Sequence, residues 1–211
     1  MLNTPALQLA HDSSPNQYLC TGHHYHGTTP TFPASVHLPL SKLDPKWNAF
    51  CQKITIDTPP TVPVESPPTS GLPSGEGYLA LGTKFTLHAH MDLDMNSGGN
   101  GRPTGVELSV LERIDDGRRA GWRVAWRTRP TLTLPSWMLR AERVQEFVEA
   151  EADPGAGAGA GVETEYVCWE TFYGVLAPVV RTVVGTKVAA GFDAWAEGLK
   201  ARAEELWRAG K

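Results

Sequence analysis

The sequence is poor in cysteine, and the cysteines it has form no recognisable pattern. Cys20, Cys51 and Cys168 are odd in number and widely spaced, whereas disulfide frameworks and zinc sites need paired cysteines at short spacings. A catalytic thiol would need a nearby base and a lowered pKa, and the sequence indicates neither. We therefore expect reduced, mostly buried thiols.

Long apolar runs and an excess of basic charge are also missing. No segment approaches the roughly 18 apolar residues of a membrane span, and the N-terminus has neither the basic start nor the apolar stretch of a secretory signal. The net charge is −4 at pH 7, and no basic stripe alternates with aromatic residues, as nucleic-acid binding requires. These absences predict a cytoplasmic protein with no membrane span and no nucleic-acid partner.

The composition that remains is that of one ordinary globular domain. The chain has 211 residues, of which 41% are hydrophobic and 20% charged, values that fit a single packed core. We expect a flexible arm over residues 1–16 and one domain over 17–208. Two segments, 58–77 and 153–161, are rich in Pro, Ser, Gly or Ala and predict loops. A monomer or weak homodimer is the expected state.

Most of the domain alternates between apolar and polar residues, which is the period-of-two pattern of half-buried strands. Gly-rich turns separate several of these segments, as in an antiparallel meander. The predicted strands cover residues 18–26, 51–57, 84–93, 106–114, 122–128, 142–150 and 163–172.

The pattern changes to a helical period between residues 176 and 208. Apolar residues recur there at spacings of three and four, at Val184, Val188, Phe192, Trp195 and Leu199. This spacing predicts one long helix with a buried face. Gly185 and Gly191 each weaken such a helix by about 1 kcal/mol relative to Ala, so they indicate a kink or a close contact with the sheet. The expected fold is α+β, with a curved antiparallel sheet wrapped around this helix.

Two short motifs connect the chain to a known superfamily. W-N-x-F runs from Trp47 to Phe50, and E-T-F-x-G-x-L-A-P runs from Glu170 to Pro178. With them, a stretch that reaches from Tyr18 to Leu206 resembles polyketide-cyclase/dehydrase-like proteins, fungal and bacterial, of the START-like (SRPBCC) superfamily. The resemblance implies a helix-grip fold with an internal hydrophobic cavity, no cofactor, and a hydrophobic small molecule, polyketide-like or polycyclic, as ligand or substrate.

One sequence pattern is similar to a metal site. Gly82-x5-His88-x-His90-x3-Asp94-x6-Gly101 is similar to the first metal-binding motif of cupins, and two histidines on alternate strand residues can share a metal. However, no histidine follows His90 to supply the second cupin motif. The alternation also places both histidines opposite the apolar face of their strand. We therefore predict a solvated polar face and no metal.

A second group of histidines lies near the N-terminus. His23, His24 and His26 occur in GHHYHG, and neutral imidazoles are common metal ligands. Their close placement sends neighbours to opposite sides of a strand, so surface or pocket-rim positions are the preferred interpretation.

Glu170 is the most informative polar residue. Alternation places it with Tyr166 and Cys168 on an apolar strand face, where a carboxylate must be paired, hydrogen-bonded or protonated. Burial of this kind tunes general acids and bases. Arg143 on the preceding strand can pair with Glu170 if its face points inward. We take Glu170, Tyr166 and Arg143 as candidate catalytic residues; the alternative is that Arg143 and Glu170 form a structural pair.

The remaining candidates are residues expected to line a ligand pocket. Side chains at these strand and helix spacings are also typical of an ordinary packed core. In a fold with an internal cavity, the same side chain can belong to the core and line the ligand pocket. The candidates are Phe85, Leu87, Met91, Trp122, Trp126, Trp137, Gln145, Phe147, Val188, Phe192 and Trp195.

Three functions remain open from the sequence. The resemblance implies a cofactor-free cyclisation, dehydration or isomerisation in secondary metabolism, with the pocket orienting a flexible substrate and one acid/base group moving a proton. A non-catalytic carrier or sensor of a lipid-like ligand is the alternative. A metal-dependent, cupin-like enzyme using His88 and His90 is the third.

Overall fold

Seven β-strands and one long helix make up the described part of the chain. The structure is a computed structural model, and it describes residues 17–27, 47–58, 81–93, 101–115, 117, 120–150 and 163–209. The elements are β1 (Gln17–Gly27), β2 (Cys51–Thr58), β3 (Lys84–Ala89), β4 (Arg102–Asp115), β5 (Ala120–Thr128), β6 (Arg140–Ala150), β7 (Glu163–Tyr173) and α1 (Ala177–Ala209). The predicted arm over residues 1–16 and most of the two predicted loops lie outside the described residues.

The strands form one antiparallel sheet with the order β1-β7-β6-β5-β4-β3-β2. From β2 to β7 each strand pairs antiparallel with the next in sequence, as in a meander. β1 is the exception, since it pairs with β7 from the opposite end of the domain. The predicted antiparallel sheet followed by one long helix is confirmed.

β3 ends four residues earlier than its alternation predicts. A turn follows Ala89, and Leu93 adopts a positive φ of 56°, which a strand residue does not adopt. The backbone N–H of His90 donates to the carbonyl of Phe50 at 2.8 Å, one residue beyond the pair formed by Cys51 and Ala89, and the chain then turns away. Met91 and Leu93 still pack against the core, whereas His90 is buried and does not follow the facing of the strand.

The core lies between the curved sheet and α1. Phe85, Trp126 and Trp195 form its aromatic centre, and each is at most 5% exposed. The ring centroids of Phe85 and Trp126 are 5.9 Å apart in an edge-to-face arrangement, and those of Trp126 and Trp195 are 6.5 Å apart. Since complete burial of one such side chain contributes about 1.5–3 kcal/mol, this contact holds the helix against the sheet.

Glycines of α1 let the segment before β2 approach the helix. A Cβ at Gly191 would overlap the ring of Phe50, and one at Gly198 would overlap the carbonyl oxygen of Trp47. Gly185, in contrast, has only an arginine side-chain carbon at 4.0 Å. The expected close contact therefore occurs at Gly191, with the segment before β2 and not with a strand, while Gly185 makes no such contact.

The start of α1 is fixed through main-chain groups. Gly174 has a φ of +99°, and a Cβ there would lie 2.6 Å from the carbonyl oxygen of Met138. The next two backbone N–H groups donate to the loop between β5 and β6, Val175 to Trp137 at 3.3 Å and Leu176 to Met138 at 2.9 Å. These bonds satisfy donors that the helix itself leaves free.

Candidate functional site

Arg143 lies in the interior and is surrounded by aromatic rings. It occupies the helix-facing side of β6 and is only 4% exposed. Its guanidinium carbon is 4.0 Å from the ring centroid of Phe192, 5.1 Å from that of Trp195 and 5.4 Å from that of Phe50. Such contacts attract a cation to the ring faces, most strongly when water is excluded. Arg143 is thus a desolvated cation held by rings from α1 and the segment before β2.

Glu170 lies directly across from Arg143. The two residues are paired in the register of β6 and β7, and Glu170 is half-buried. Within the described residues they form no ion pair, and Nε and Nη2 of Arg143 have no hydrogen-bond partner. Burial raises the pKa of Glu170, and the positive charge of Arg143 lowers it by less. The predicted neighbours are therefore adjacent, but without the close contact of a structural ion pair.

Tyr166 and Gln145 supply a second polar pair on the same side of the sheet. The hydroxyl of Tyr166 donates to Oε1 of Gln145 at 2.8 Å, and both side chains are buried. The ring of Tyr166 contacts that of Phe147, with centroids 5.1 Å apart. Burial raises the pKa of Tyr166 well above its ordinary value, so the phenol keeps its proton at physiological pH.

Two cysteines lie near Arg143. Cys51 and Cys168 are free and buried. Burial raises the pKa of Cys51 to about 11, although the charge of Arg143 opposes the shift. A thiol with this pKa remains protonated and unreactive at neutral pH, which agrees with the expectation of buried, reduced thiols at these two positions. The side chain of Cys20 lies outside the described residues.

The predicted pocket-lining residues fall into three groups. Met91 and Phe147 pack at the edge of the core, and Trp122 is half-buried. Trp137 differs from the expectation, because it lies in the loop between β5 and β6 and is 68% exposed; no strand carries it inward. The buried members are Phe85, Leu87, Trp126, Gln145, Val188, Phe192 and Trp195.

The histidines are arranged differently from the sequence expectation. His90 is 7% exposed and not solvent-facing, because β3 ends before it; His88 is half-buried. No group of three His, Cys, Asp or Glu side chains that could hold a metal occurs in the described part of the chain. Asp94 and the side chains of the 23–26 cluster lie outside it.

Sequence reasoning noted the W-N-x-F segment but gave it no role in the site. Trp47 contacts Trp195 with ring centroids 6.2 Å apart, and Phe50 contacts Phe192 at 6.1 Å. Asn48 is fully buried, and its Oδ1 accepts from the backbone N–H of Cys51 at 2.9 Å. The glycines of α1 were the available signal, since small residues on a helix indicate a close neighbour.

The comparison with curated proteins gives a relative that is named for a biosynthesis cluster. Oxopyrrolidines biosynthesis cluster protein O of Penicillium oxalicum is 36% identical over 146 residues, which cover 67% of this chain and 64% of the relative. The match thus spans somewhat less than two thirds of the relative's length. No family model matches the chain.

The comparison with solved structures gives matches at low sequence identity, and one of them has a TM-score above 0.5. A hypothetical protein of Helicobacter pylori aligns with a TM-score of 0.52 and 15% identity, covering 96% of this chain and 99% of that chain. Truncated norcoclaurine synthase of Thalictrum flavum gives a TM-score of 0.45 and 11% identity, covering 87% and 94%. The curved antiparallel sheet around one C-terminal helix is the helix-grip fold of START-like proteins, as the resemblance predicted. No helix among the described residues is long and apolar enough to cross a membrane.

Proposed function

We propose that the protein binds a hydrophobic, polyketide-like small molecule between the sheet and α1 and catalyses a cofactor-free cyclisation, dehydration or isomerisation in secondary metabolism. One observation carries the catalytic part: Glu170 lies on an inward strand face beside Arg143, and burial raises its pKa. A carboxyl group with a raised pKa can both accept and return a proton near neutral pH. The relative named for a biosynthesis cluster supports a role in secondary metabolism.

The inward-facing residues suit a proton transfer in a nearly dry site. Glu170 would remove or deliver the proton, and Tyr166, oriented by Gln145, would present a polar edge to the substrate. Arg143 would supply positive charge beside the reacting atoms, where a low dielectric strengthens its effect. The surrounding rings would hold an apolar substrate in one conformer, which lowers the entropic part of the barrier.

Glu170→Gln tests the catalytic role, because it keeps the volume and the hydrogen-bonding capacity but cannot transfer the proton. Native mass spectrometry of freshly purified protein would first identify a retained ligand. Turnover would then be followed by chromatography and mass spectrometry in a metabolite extract from a strain that lacks the gene. We expect Glu170→Gln to fold, bind and lose about 100-fold or more in turnover.

Glu197→Gln is the matched control, since Glu197 is an exposed carboxylate on α1, and it should retain full turnover. Full turnover in Glu170→Gln would reject Glu170 as the acid/base. Saturable binding with no product from any extract would instead establish the carrier or sensor.

A further inference from the structure

Three of the five buried donor atoms that lack a hydrogen-bond partner within the described residues belong to two neighbouring core residues. They are Nε and Nη2 of Arg143 and Nε1 of Trp195, all inaccessible to solvent and unpaired within the described residues. Buried polar groups in folded proteins are nearly always hydrogen-bonded, so three unpaired donors in one place require an explanation. The guanidinium carbon of Arg143 is 5.1 Å from the Trp195 ring centroid, so the two residues that carry these donors are direct neighbours.

The chemistry of these donors selects the group that would satisfy them. Guanidinium and indole N–H groups donate and cannot accept, so the missing partner is an acceptor. Nε and Nη2 lie along one edge of the guanidinium, the edge that binds a carboxylate through two parallel N–H···O bonds. A negatively charged acceptor would also neutralise Arg143, which no ion pair among the described residues does.

Glu170 does not fill this position. It lies opposite Arg143 in the strand register, yet the edge formed by Nε and Nη2 remains without a partner. Burial also shifts the carboxyl of Glu170 toward its neutral form. The rings of Phe50 and Phe192 flank the guanidinium and can neither accept a strong hydrogen bond nor carry a charge.

We propose that Arg143 and Trp195 form a receptor for one anionic oxygen group of the ligand, a carboxylate or the enolate of an acidic enol. The ligand class is thereby narrowed to hydrophobic molecules with one acidic group, and neutral lipids are disfavoured. This inference rests on the proposed function, because the ligand must lie between the sheet and α1.

Matched probes test the receptor. Calorimetry on the full-length chain would compare 2-naphthoate with 2-naphthamide, which share shape and differ in charge. We expect wild-type protein to bind the naphthoate about ten- to a hundredfold more tightly, the range of a charge-assisted hydrogen bond. Arg143→Met should abolish the preference for naphthoate without lowering the affinity for naphthamide. Trp195→Phe, which keeps a ring but removes the N–H, should reduce the preference several-fold.

Two further measurements complete the test. Arg127→Met removes an exposed arginine of β5 that faces away from the interior, and it should leave the preference unchanged. 2-Hydroxy-1,4-naphthoquinone, an acidic enol, and its neutral methyl ether form a second pair; a preference confined to one pair identifies the anion as carboxylate or enolate.

The stability of Arg143→Met separates a receptor from a structural role. Burial of a receptor cation with unpaired donors should cost at least as much free energy as its ring contacts contribute, so the variant should melt at the wild-type temperature or above it. A variant that melts much lower, or does not fold, would show Arg143 to be structural and overturn the receptor. Equal affinity for charged and neutral probes would overturn the receptor and leave the proposed function standing, whereas no binding of any probe would overturn both.

Discussion

The protonation of Glu170 couples the candidate site to stability. Burial raises its pKa above the ordinary value of 4.5, against the opposing effect of Arg143. At a pH above about 4.5 the unfolded chain loses this proton while the folded protein keeps it. The folded state then binds more protons than the unfolded state, so the free energy of unfolding falls as pH rises toward the folded-state pKa.

We therefore expect Glu170→Gln to change the pH dependence of stability. The free energy of unfolding of wild type minus that of the variant should fall as pH rises above about 4.5, by at most about 1.4 kcal/mol per pH unit, and then level off. Urea unfolding at a series of pH values measures this difference. For Glu197→Gln, this difference in unfolding free energy should not fall as pH rises. If the difference for Glu170→Gln instead increases with pH, the charge of Arg143 affects the pKa of Glu170 more than burial does.

Strand parity, the alternation of side chains between the two faces of a strand, predicted the candidate site better than any motif did. Alternation alone placed Tyr166, Cys168 and Glu170 on one face and allowed Arg143 to lie opposite. Parity does not determine side-chain distances, so the missing ion pair and the rings around Arg143 could not be inferred. His90 shows the other limit, because parity fails as soon as the strand ends.

Helix α1 shows how glycine can be required at one position and unfavourable at another. Gly198 faces the carbonyl oxygen of Trp47 with no room for a Cβ, whereas Gly185 has space around it. Both glycines carry the same backbone entropy cost relative to alanine. Packing alone therefore distinguishes them.

Replacing each glycine by alanine tests this difference. Gly185→Ala should raise the free energy of unfolding by about 1 kcal/mol, the helix-propensity gain. Gly198→Ala should lower it by about 1–3 kcal/mol, because overpacking forces the helix away from Trp47. Chemical denaturation measures both values. Stabilisation of similar size in both variants would show that the helix is not pressed against the segment before β2.

The elements themselves were predictable because their periods differ. Alternation marked the strands, and the three-and-four spacing marked α1, since each period reports one buried face. The early end of β3 was not predictable, because the positive φ of Leu93 has no signature in a pattern of apolar and polar residues. Likewise, a glycine in a helix indicates a close neighbour without saying which segment provides it.

In the molecule as a whole, β1 differs from the other strands in how it joins the sheet. It lies at one edge of the described sheet and pairs with β7 alone, whereas β6 lies between β5 and β7. Its partner is far away in sequence, so a long loop must close before the pair forms, and loop closure costs entropy. β1 should therefore open more easily than the centre of the sheet.

Hydrogen exchange followed by mass spectrometry would measure this difference. Peptides covering β1 should exchange at least about tenfold faster than peptides covering β6, since edge strands open without global unfolding. Peptides covering β4, another interior strand, provide the control and should resemble β6. Equal protection of β1 and β6 would indicate that the sheet unfolds only as one unit.

Main-chain groups contribute to the orientation of α1 together with the aromatic core. The carbonyl oxygens of Trp137 and Met138 accept hydrogen bonds from the backbone N–H groups of Val175 and Leu176, just before α1, and the carbonyl of Trp47 lies against Gly198. None of these contacts involves an inward-facing side chain. Substitution of rings or polar groups beneath the helix therefore leaves these main-chain contacts in place. Residues that contact a ligand can therefore change during evolution while the main-chain contacts that position α1 are kept.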